Sequence, residues 1–278
     1  MELRVLGTCG GHPWDGDACS GYLVRTGTEC LLLDCGPGVA TRLAEIAAPG
    51  DLDAVLLTHM HTDHYLDLFP LAYRIMAECT GGAGAHFRRL RVLLPAGGMA
   101  RFAAVSAAIG HAEWSFPADL ARGPAYQRFR EMVGHSADWV FAVFDVQEYT
   151  PGEALEIGET TVHTFPVHHN VPAAAFRLVH DGRAFVYSGD SGACGELVTA
   201  AKGADLFLVD SFAIDQAPPG SVHLSPYDAG CVAAAAGAAR VLLTHLHPSA
   251  HYGSVLAAAG EGFGGAVELA QSVRVVTW

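Results

Sequence analysis

Short apolar runs separated by glycine-rich turns set the pattern of the first eighty residues. Leu3–Leu6, Tyr22–Arg25 and Glu29–Asp34 predict strands, the last broken by Cys35-Gly36-Pro37-Gly38. Val39–Ala47 has helical spacing. Ala54-Val55-Leu56-Leu57 is apolar throughout and predicts a buried strand. Leu66–Glu78 and Met99–Ile109 predict helices on either side of a strand at Arg91–Leu94, which Pro95-Ala96-Gly97-Gly98 ends. Residues 150–278 repeat the style. Strands are predicted at Thr161–Val167, Ala174–His180, Ala184–Ser188, Leu206–Val209 and Arg240–Thr244, with helices at Gly195–Ala201 and the alanine-rich Pro226–Ala238. Two strand-rich halves with outer helices predict two sheets packed face to face beneath helices. No linker-like composition separates them, so residues 1–278 are expected to form one domain.

Between the halves, residues 111–138 break the rhythm. They carry Trp114, Phe116, Tyr126 and Phe129, with Trp139 at their edge, interrupted by Pro117 and Pro124. Long insertions in compact domains tend to be recruited as lids or contacts, so this one is expected to cover a substrate or join a homodimer.

Composition then narrows the class. Hydrophobic residues make up 51% of the 278 and charged residues 16%, enough for a sizeable core. The formal charge of −13 repels polyanions, and the one tight basic cluster is Arg88-Arg89-Leu90-Arg91. A nucleic-acid polymer is therefore disfavoured as substrate, and a small molecule expected. The seven cysteines are scattered, odd in number and include no Cys-x-x-Cys pair. Met1–Leu6 reads as a strand rather than a signal segment, and no apolar run reaches the length of a membrane span. These features predict a reduced, cytoplasmic protein with no membrane partner.

The chemistry concentrates directly after the Ala54–Leu57 strand, in Thr58-His59-Met60-His61-Thr62-Asp63-His64. On a loop, His59 and His61 can converge on one metal ion while Asp63 and His64 turn toward a second. Imidazole nitrogen and carboxylate oxygen are the donors that zinc accepts, and manganese or iron as well. A dinuclear site needs about six or seven protein ligands, so the remainder must come from elsewhere. Three later segments also follow apolar strands. Val167-His168-His169-Asn170 offers two histidines, of which strand alternation lets one reach the metals. Ser188-Gly189-Asp190-Ser191-Gly192 puts a carboxylate in a glycine-flanked turn, suited to bridging two cations. Val241-Leu242-Leu243-Thr244-His245-Leu246-His247 echoes the first cluster.

Together these motifs resemble the metallo-β-lactamase-fold hydrolases, and within them the ribonuclease Z-like phosphodiesterase branch. Leu6-Gly7-Thr8-Cys9-Gly10-Gly11 is similar to the branch's opening glycine loop, and Asp34 in Leu33-Asp34-Cys35-Gly36 to the fold's buried structural aspartate. His169-Asn170-Val171-Pro172 resembles the His-x-x-Pro segment, which selects His169 over His168. The resemblance implies a four-layer αβ/βα sandwich. His59, His61 and His169 would hold one ion, Asp63, His64 and His245 the other, with Asp190 bridging and Asp63 also aiming the attacking hydroxide. His223-Leu224-Ser225 resembles the branch's His-x-Ser/Thr segment, whose histidine protonates the leaving group. Asp210 stands where the branch usually carries a glutamate that orients this histidine, and its side chain is one methylene shorter.

The long glycine- and proline-bearing arm with which tRNA-processing members grip tRNA has no counterpart here. The implied activity is hydrolysis of a small phosphodiester, as in the bacterial cyclic-nucleotide phosphodiesterases of this branch. Hydrolysis of a lactone, thioester or amide on the same metals is the alternative, with tRNA 3′-processing as another.

Overall fold

A computed structural model of the chain describes residues 1–80, 88–109, 127, 139–214 and 217–278. The first half runs β1 (Glu2–Gly7), β2 (Gly21–Arg25), β3 (Cys30–Leu33), α1 (Val39–Ile46), β4 (Ala54–Leu56), a single turn α2 (Thr62–Tyr65) and α3 (Leu68–Thr80). It continues with β5 (Leu90–Pro95), α4 (Gly98–Ile109), α5 (Val140–Val143) and β6 (Phe144–Tyr149). The second half opens with β7 (Ala154–Ile157), β8 (Thr160–Pro166), β9 (Ala174–His180), β10 (Arg183–Tyr187) and α6 (Gly195–Ala201). Then come β11 (Leu206–Asp210), α7 (Pro226–Ala236), β12 (Val241–Thr244), α8 (Tyr252–Phe263), β13 (Glu268–Leu269) and β14 (Val275–Thr277).

Among the described residues the strands form two seven-stranded sheets, ordered β14-β1-β2-β3-β4-β5-β6 and β13-β12-β11-β10-β9-β8-β7. The division into halves is nearly but not wholly sequential. Strand β14 returns to the first sheet and pairs antiparallel with β1, Leu3 opposite Val276.

Strand β4 shows why the apolar runs are continuous. Val55 and Leu57 point outward with Leu32, Val92 and Leu94, against Leu43 of α1, Leu71 of α3 and Phe102 of α4. Ala54 and Leu56 point inward with Leu31, Leu33 and Leu93, against Phe176 and Leu208 of the second sheet. Both faces are buried, so neither parity can be polar. A third cluster packs Leu197, Ala233 and Ala259 of α6, α7 and α8 on the outer face of the second sheet. The layers are helix, sheet, sheet, helix: the four-layer αβ/βα sandwich. Each fully buried Leu or Val contributes about 1.5–3 kcal/mol, so three such clusters dominate the fold's stability.

The structure also holds elements that the sequence pattern left unassigned. Helix α8 carries three glycines, which hide its helical signal. A Cβ on Gly230 of α7 would lie 2.2 Å from the Ala259 carbonyl oxygen, and one on Gly262 of α8 would lie 2.3 Å from that of Tyr227. The glycines let the two helices touch backbone to backbone, at about 1 kcal/mol each in helix propensity. Strand β6 alternates buried Phe144 and Tyr149 with exposed Asp145, Gln147 and Glu148, as an edge strand does. The predicted lid or subunit contact at residues 111–138 lies outside the described residues except for position 127. Among the described residues no helix is long and apolar enough to cross a membrane.

Candidate metal centre

Strands β3, β4 and β5 run parallel, as do β10, β11 and β12, while β8 lies antiparallel to β9 and so parallel to β10. Their C-terminal ends therefore share one edge of the sandwich. The histidines and aspartates singled out from the sequence sit just past these ends or, for Asp210, at the last residue of β11. His223 follows β11 in the loop that leads to α7, two residues before the Ser225 N-cap and Pro226.

Two groups of donor atoms form there, each with all its atoms within 4.8 Å of one another. One is His59, His61, His169 and Asp190; the other is Asp63, His64, Asp190 and His245. Nδ1 of His61 lies 3.1 Å from Nε2 of His59 and 3.1 Å from Nε2 of His169. The Asp190 carboxylate stands between the groups. Its Oδ2 is 3.2 Å from His245 Nε2 and 3.6 Å from His59 Nε2, and its Oδ1 is 3.3 Å from His64 Nε2. His168 turns away to the exposed side, with Nε2 3.3 Å from the Gly220 carbonyl.

The outer nitrogens fix the rings. His169 Nδ1–H donates to the Val222 carbonyl at 3.0 Å, and His64 Nδ1–H to Asp34 at 2.7 Å. His59 Nδ1 meets the Thr58 hydroxyl at 3.0 Å, and His245 Nδ1 meets Ser20 Oγ at 3.1 Å. With Nδ1 engaged outward, His59, His169 and His245 can turn Nε2 to the centre, the arrangement in which outer partners orient ligating imidazoles. Burial disfavours the charged ring of His64, but the carboxylates of Asp190 and Asp34 outweigh it and raise its pKa. Asp34 organises much of this shell. Its carboxylate accepts from the Thr58 amide and hydroxyl, from His64 and from the Tyr187 hydroxyl at 2.8 Å. Asp34 (φ 57°) and His245 (φ 53°) both adopt left-handed backbone directly after a strand, a strain that concentrates at functional sites. Asp63 lies on the one-turn helix α2 rather than on a loop, and the Gly11 amide donates to its Oδ2 at 2.8 Å.

Charge follows from this crowding. Burial lowers the pKa of His59, reinforced by repulsion from His64, and burial likewise lowers His61 and His169. These rings are held neutral, with lone pairs free. Burial alone would raise Asp190, but the imidazoles packed around it, His245 and His64 foremost, hold it well below the usual carboxylate range. Two buried atoms, His64 Nε2 and Asp190 Oδ1, lie 3.3 Å apart without a well-aligned hydrogen bond and have no other partner among the described residues. Orphaned polar atoms at full burial are costly unless a ligand satisfies them. A cation among these donors would do so, and the N/O set suits a divalent transition metal.

Beside the two groups, the fully buried Asp210 reaches His223 Nδ1 at 2.9 Å, so the shorter carboxylate spans the gap. Its oxygens also accept from the Ser191 amide at 3.2 Å and the Phe212 amide at 3.0 Å. Burial opposes the charged form of His223. The hydrogen bond and charge of Asp210 outweigh it and raise the pKa above the ordinary imidazole value. Sequence reasoning missed Ser20, Thr58, Gly11, Val222 and Phe212, whose roles depend on contacts made only in the folded chain.

Two helix-covered sheets with a His/Asp cluster at their shared edge define the metallo-β-lactamase type of sandwich. The chain belongs to the metallo-β-lactamase superfamily: that family matches residues 14–78, and the beta-lactamase superfamily domain matches residues 115–246. It is 29% identical to the probable metallo-hydrolase YhfI of Bacillus subtilis over 98% of each chain. The crystal structure of YhfI superposes with a TM-score of 0.77 at 25% identity, covering 99% of this chain and 98% of that one. It is 32% identical to the uncharacterized protein ML1173 of Mycobacterium leprae, over 96% of this chain and 85% of the relative. A ribonuclease Z of Mycobacterium bovis is 29% identical over 90% of this chain and 87% of the relative.

Proposed function

We propose that the protein is a dinuclear metal-dependent phosphodiesterase acting on a small phosphodiester such as a cyclic nucleotide. His59, His61 and His169 would hold one divalent ion, Asp63, His64 and His245 the second, with Asp190 shared. Zinc is the first candidate, with manganese or iron accepting the same donors. Such ions supply Lewis acidity toward the phosphoryl oxygens and lower the pKa of water. The chain's own residues do the rest. Asp63, pinned by the Gly11 amide, accepts a hydrogen bond and aims the attacking water. His223 donates a proton from Nε2 to the departing alkoxide while Asp210 holds Nδ1 and favours the charged ring. The His223–Asp210 pair at 2.9 Å beside the ligand groups carries this reading, because an alkoxide leaving group needs a proton.

The ribonuclease Z relative favours RNA as the second reading. Against it stands the position of the basic cluster. Arg88 and Arg89 precede β5, and Arg88 bonds Leu52 and Asp53 ahead of β4, at the far end of the parallel strands from the centre. The formal charge of −13 also disfavours a polyanion. We also place the protein in the cytoplasm, a reading supported by the buried free thiols of Cys9, Cys19, Cys30 and Cys35.

The test is His223→Ala, assayed on alkyl phosphodiesters, bis(p-nitrophenyl) phosphate and a tRNA precursor. It should keep its metal yet lose roughly 10²–10⁴ in rate on unactivated diesters, the contribution of a positioned general acid. The loss should shrink sharply with p-nitrophenolate, which departs without a proton. Equal losses on both diesters would remove the acid role. No loss on either would transfer the site to a lactone, thioester or amide. Faster turnover of the tRNA precursor than of any small diester would make RNA the substrate.

A further inference from the structure

Phe212 is a phenylalanine without a place in the core. Among the described residues it belongs to none of the three apolar clusters, and its ring is half-buried. It packs instead on three imidazoles, with centroid distances of 4.9 Å to His223, 5.3 Å to His245 and 5.0 Å to His247. The opening loop makes room for it. A Cβ on Gly10 would lie 2.5 Å from Cδ2 and 2.6 Å from Cε2 of Phe212, so only glycine lets the ring stand here. A position without a Cβ and a phenylalanine outside the core thus combine to keep an aromatic face at a polar edge.

We infer that Phe212 and His247 form the wall on which a planar ring of the substrate stacks, making Phe212 a specificity-determining residue. This rests on the phosphodiesterase reading in one respect: a substituent carried on the oxygen that His223 protonates would lie beside Phe212, whose ring packs against that same imidazole. The wall also has a polar end. The Ser249 amide donates to His247 Nδ1 at 3.0 Å, which leaves the proton of the neutral ring on Nε2 as a free donor. An aromatic face beside one donor fits a planar heterocycle with an acceptor on its edge, as in a nucleobase, better than an alkyl chain or a second phosphate.

The probes are phenylphosphonate and cyclohexylphosphonate, which share a metal-seeking head and ring size but differ in planarity. Calorimetric titration of the metal-loaded protein reads their affinities without any turnover. Wild type should bind the phenyl compound roughly 2–12-fold tighter, the worth of one aromatic pair beyond its area burial. Phe212→Leu keeps an apolar side chain and should bring the ratio to about one, whereas Phe212→Tyr should keep the preference. Metal content of each variant checks that the centre is intact. No phenyl preference in wild type, or a preference unchanged in Phe212→Leu, overturns the wall and leaves Phe212 as packing for His223. If the preference behaves as expected while no diester is hydrolysed, the phosphodiesterase reading fails and the aromatic wall stands.

Discussion

Two buried polar clusters tie the sheets together at opposite ends of the sandwich, and they differ in what they leave unsatisfied. At the end away from the candidate centre, Glu29 in the β2–β3 turn reaches across to the start of β8. Its Oε1 accepts from the Glu159 amide at 2.8 Å, and its Oε2 from the Thr26 and Thr160 hydroxyls at 2.7 Å each. Every carboxylate oxygen has a donor. At the other end, imidazole nitrogens crowd one another at 3.1 Å, and His64 Nε2 and Asp190 Oδ1, 3.3 Å apart, form no well-aligned hydrogen bond among the described residues. The first cluster is complete as protein and reads as a structural clasp. The second would be completed by a cation. Burial and polarity are common to both, so satisfaction is what separates structure from function here.

The most severe way to break this contrast is to remove the shared carboxylate. Asp190→Ala should reduce bound metal from close to two ions per chain to less than one by elemental analysis, and turnover to background. Metal binding to the folded state alone stabilises it by about 4 kcal/mol at a thousandfold excess over Kd. A chelator should therefore lower the melting temperature of wild type but not of Asp190→Ala. A variant that kept both ions would mean that the unpaired atoms have another explanation.

Next in size is the adjacent-histidine pair. His169→Ala should lose activity and part of the metal, because its Nε2 faces the cluster. His168→Ala should keep both, because its ring faces solvent. The reverse outcome would place the ligand one residue earlier. Smaller still is Asp210→Asn, which preserves a partner for His223 Nδ1 but removes the charge favouring imidazolium. Its loss on alkyl diesters should fall below the roughly 10²-fold floor for deleting a general acid, with metal retained. A loss as large as that of His223→Ala would show that the carboxylate does more than orient and charge the ring.

How much of this was legible beforehand depends on how local each feature is. The β4 strand and its His cluster were readable because burial on both faces makes the run apolar and the ligands follow at fixed spacing. The sandwich followed from repeating that pattern. Helix α8 was hidden by the glycines that let it touch α7. The edge strand β6 was hidden because half its residues face solvent. Asp190 and His245 were visible as ends of apolar strands. Their supports were not: Tyr187 meets Asp34 across 153 positions, and Ser20 meets His245 across 225. No periodicity encodes such pairings. Phe212 was invisible for the same reason, since its partner Gly10 is a glycine for a steric reason only the fold supplies.

The gentlest test addresses the satisfied end, where the effect should be on stability alone. Burial would raise the Glu29 pKa, but the Glu159 amide and the Thr26 and Thr160 hydroxyls hold it down at about 2. An unfolded glutamate titrates near 4.3. The folded pKa is the lower one, so the stabilisation is present in full above the unfolded value. It is lost as pH falls from about 5 toward 2. A difference of some two units sets an upper bound of about 3 kcal/mol at neutral pH, less where solvent screens the carboxylate. Glu29→Gln should therefore unfold at lower urea than wild type at pH 7, in chelator so that metal plays no part. The gap between the two proteins should narrow steadily as the pH falls from about 5 toward 2, because the folded carboxylate is protonated only near its own pKa. Turnover and metal content at pH 7 should match wild type, because the clasp lies at the far end of the strands. A gap of constant size across that range would mean that packing, and not the carboxylate's hydrogen bonds, holds this end together. A loss of metal would mean that the two clusters are coupled through the sheets rather than independent.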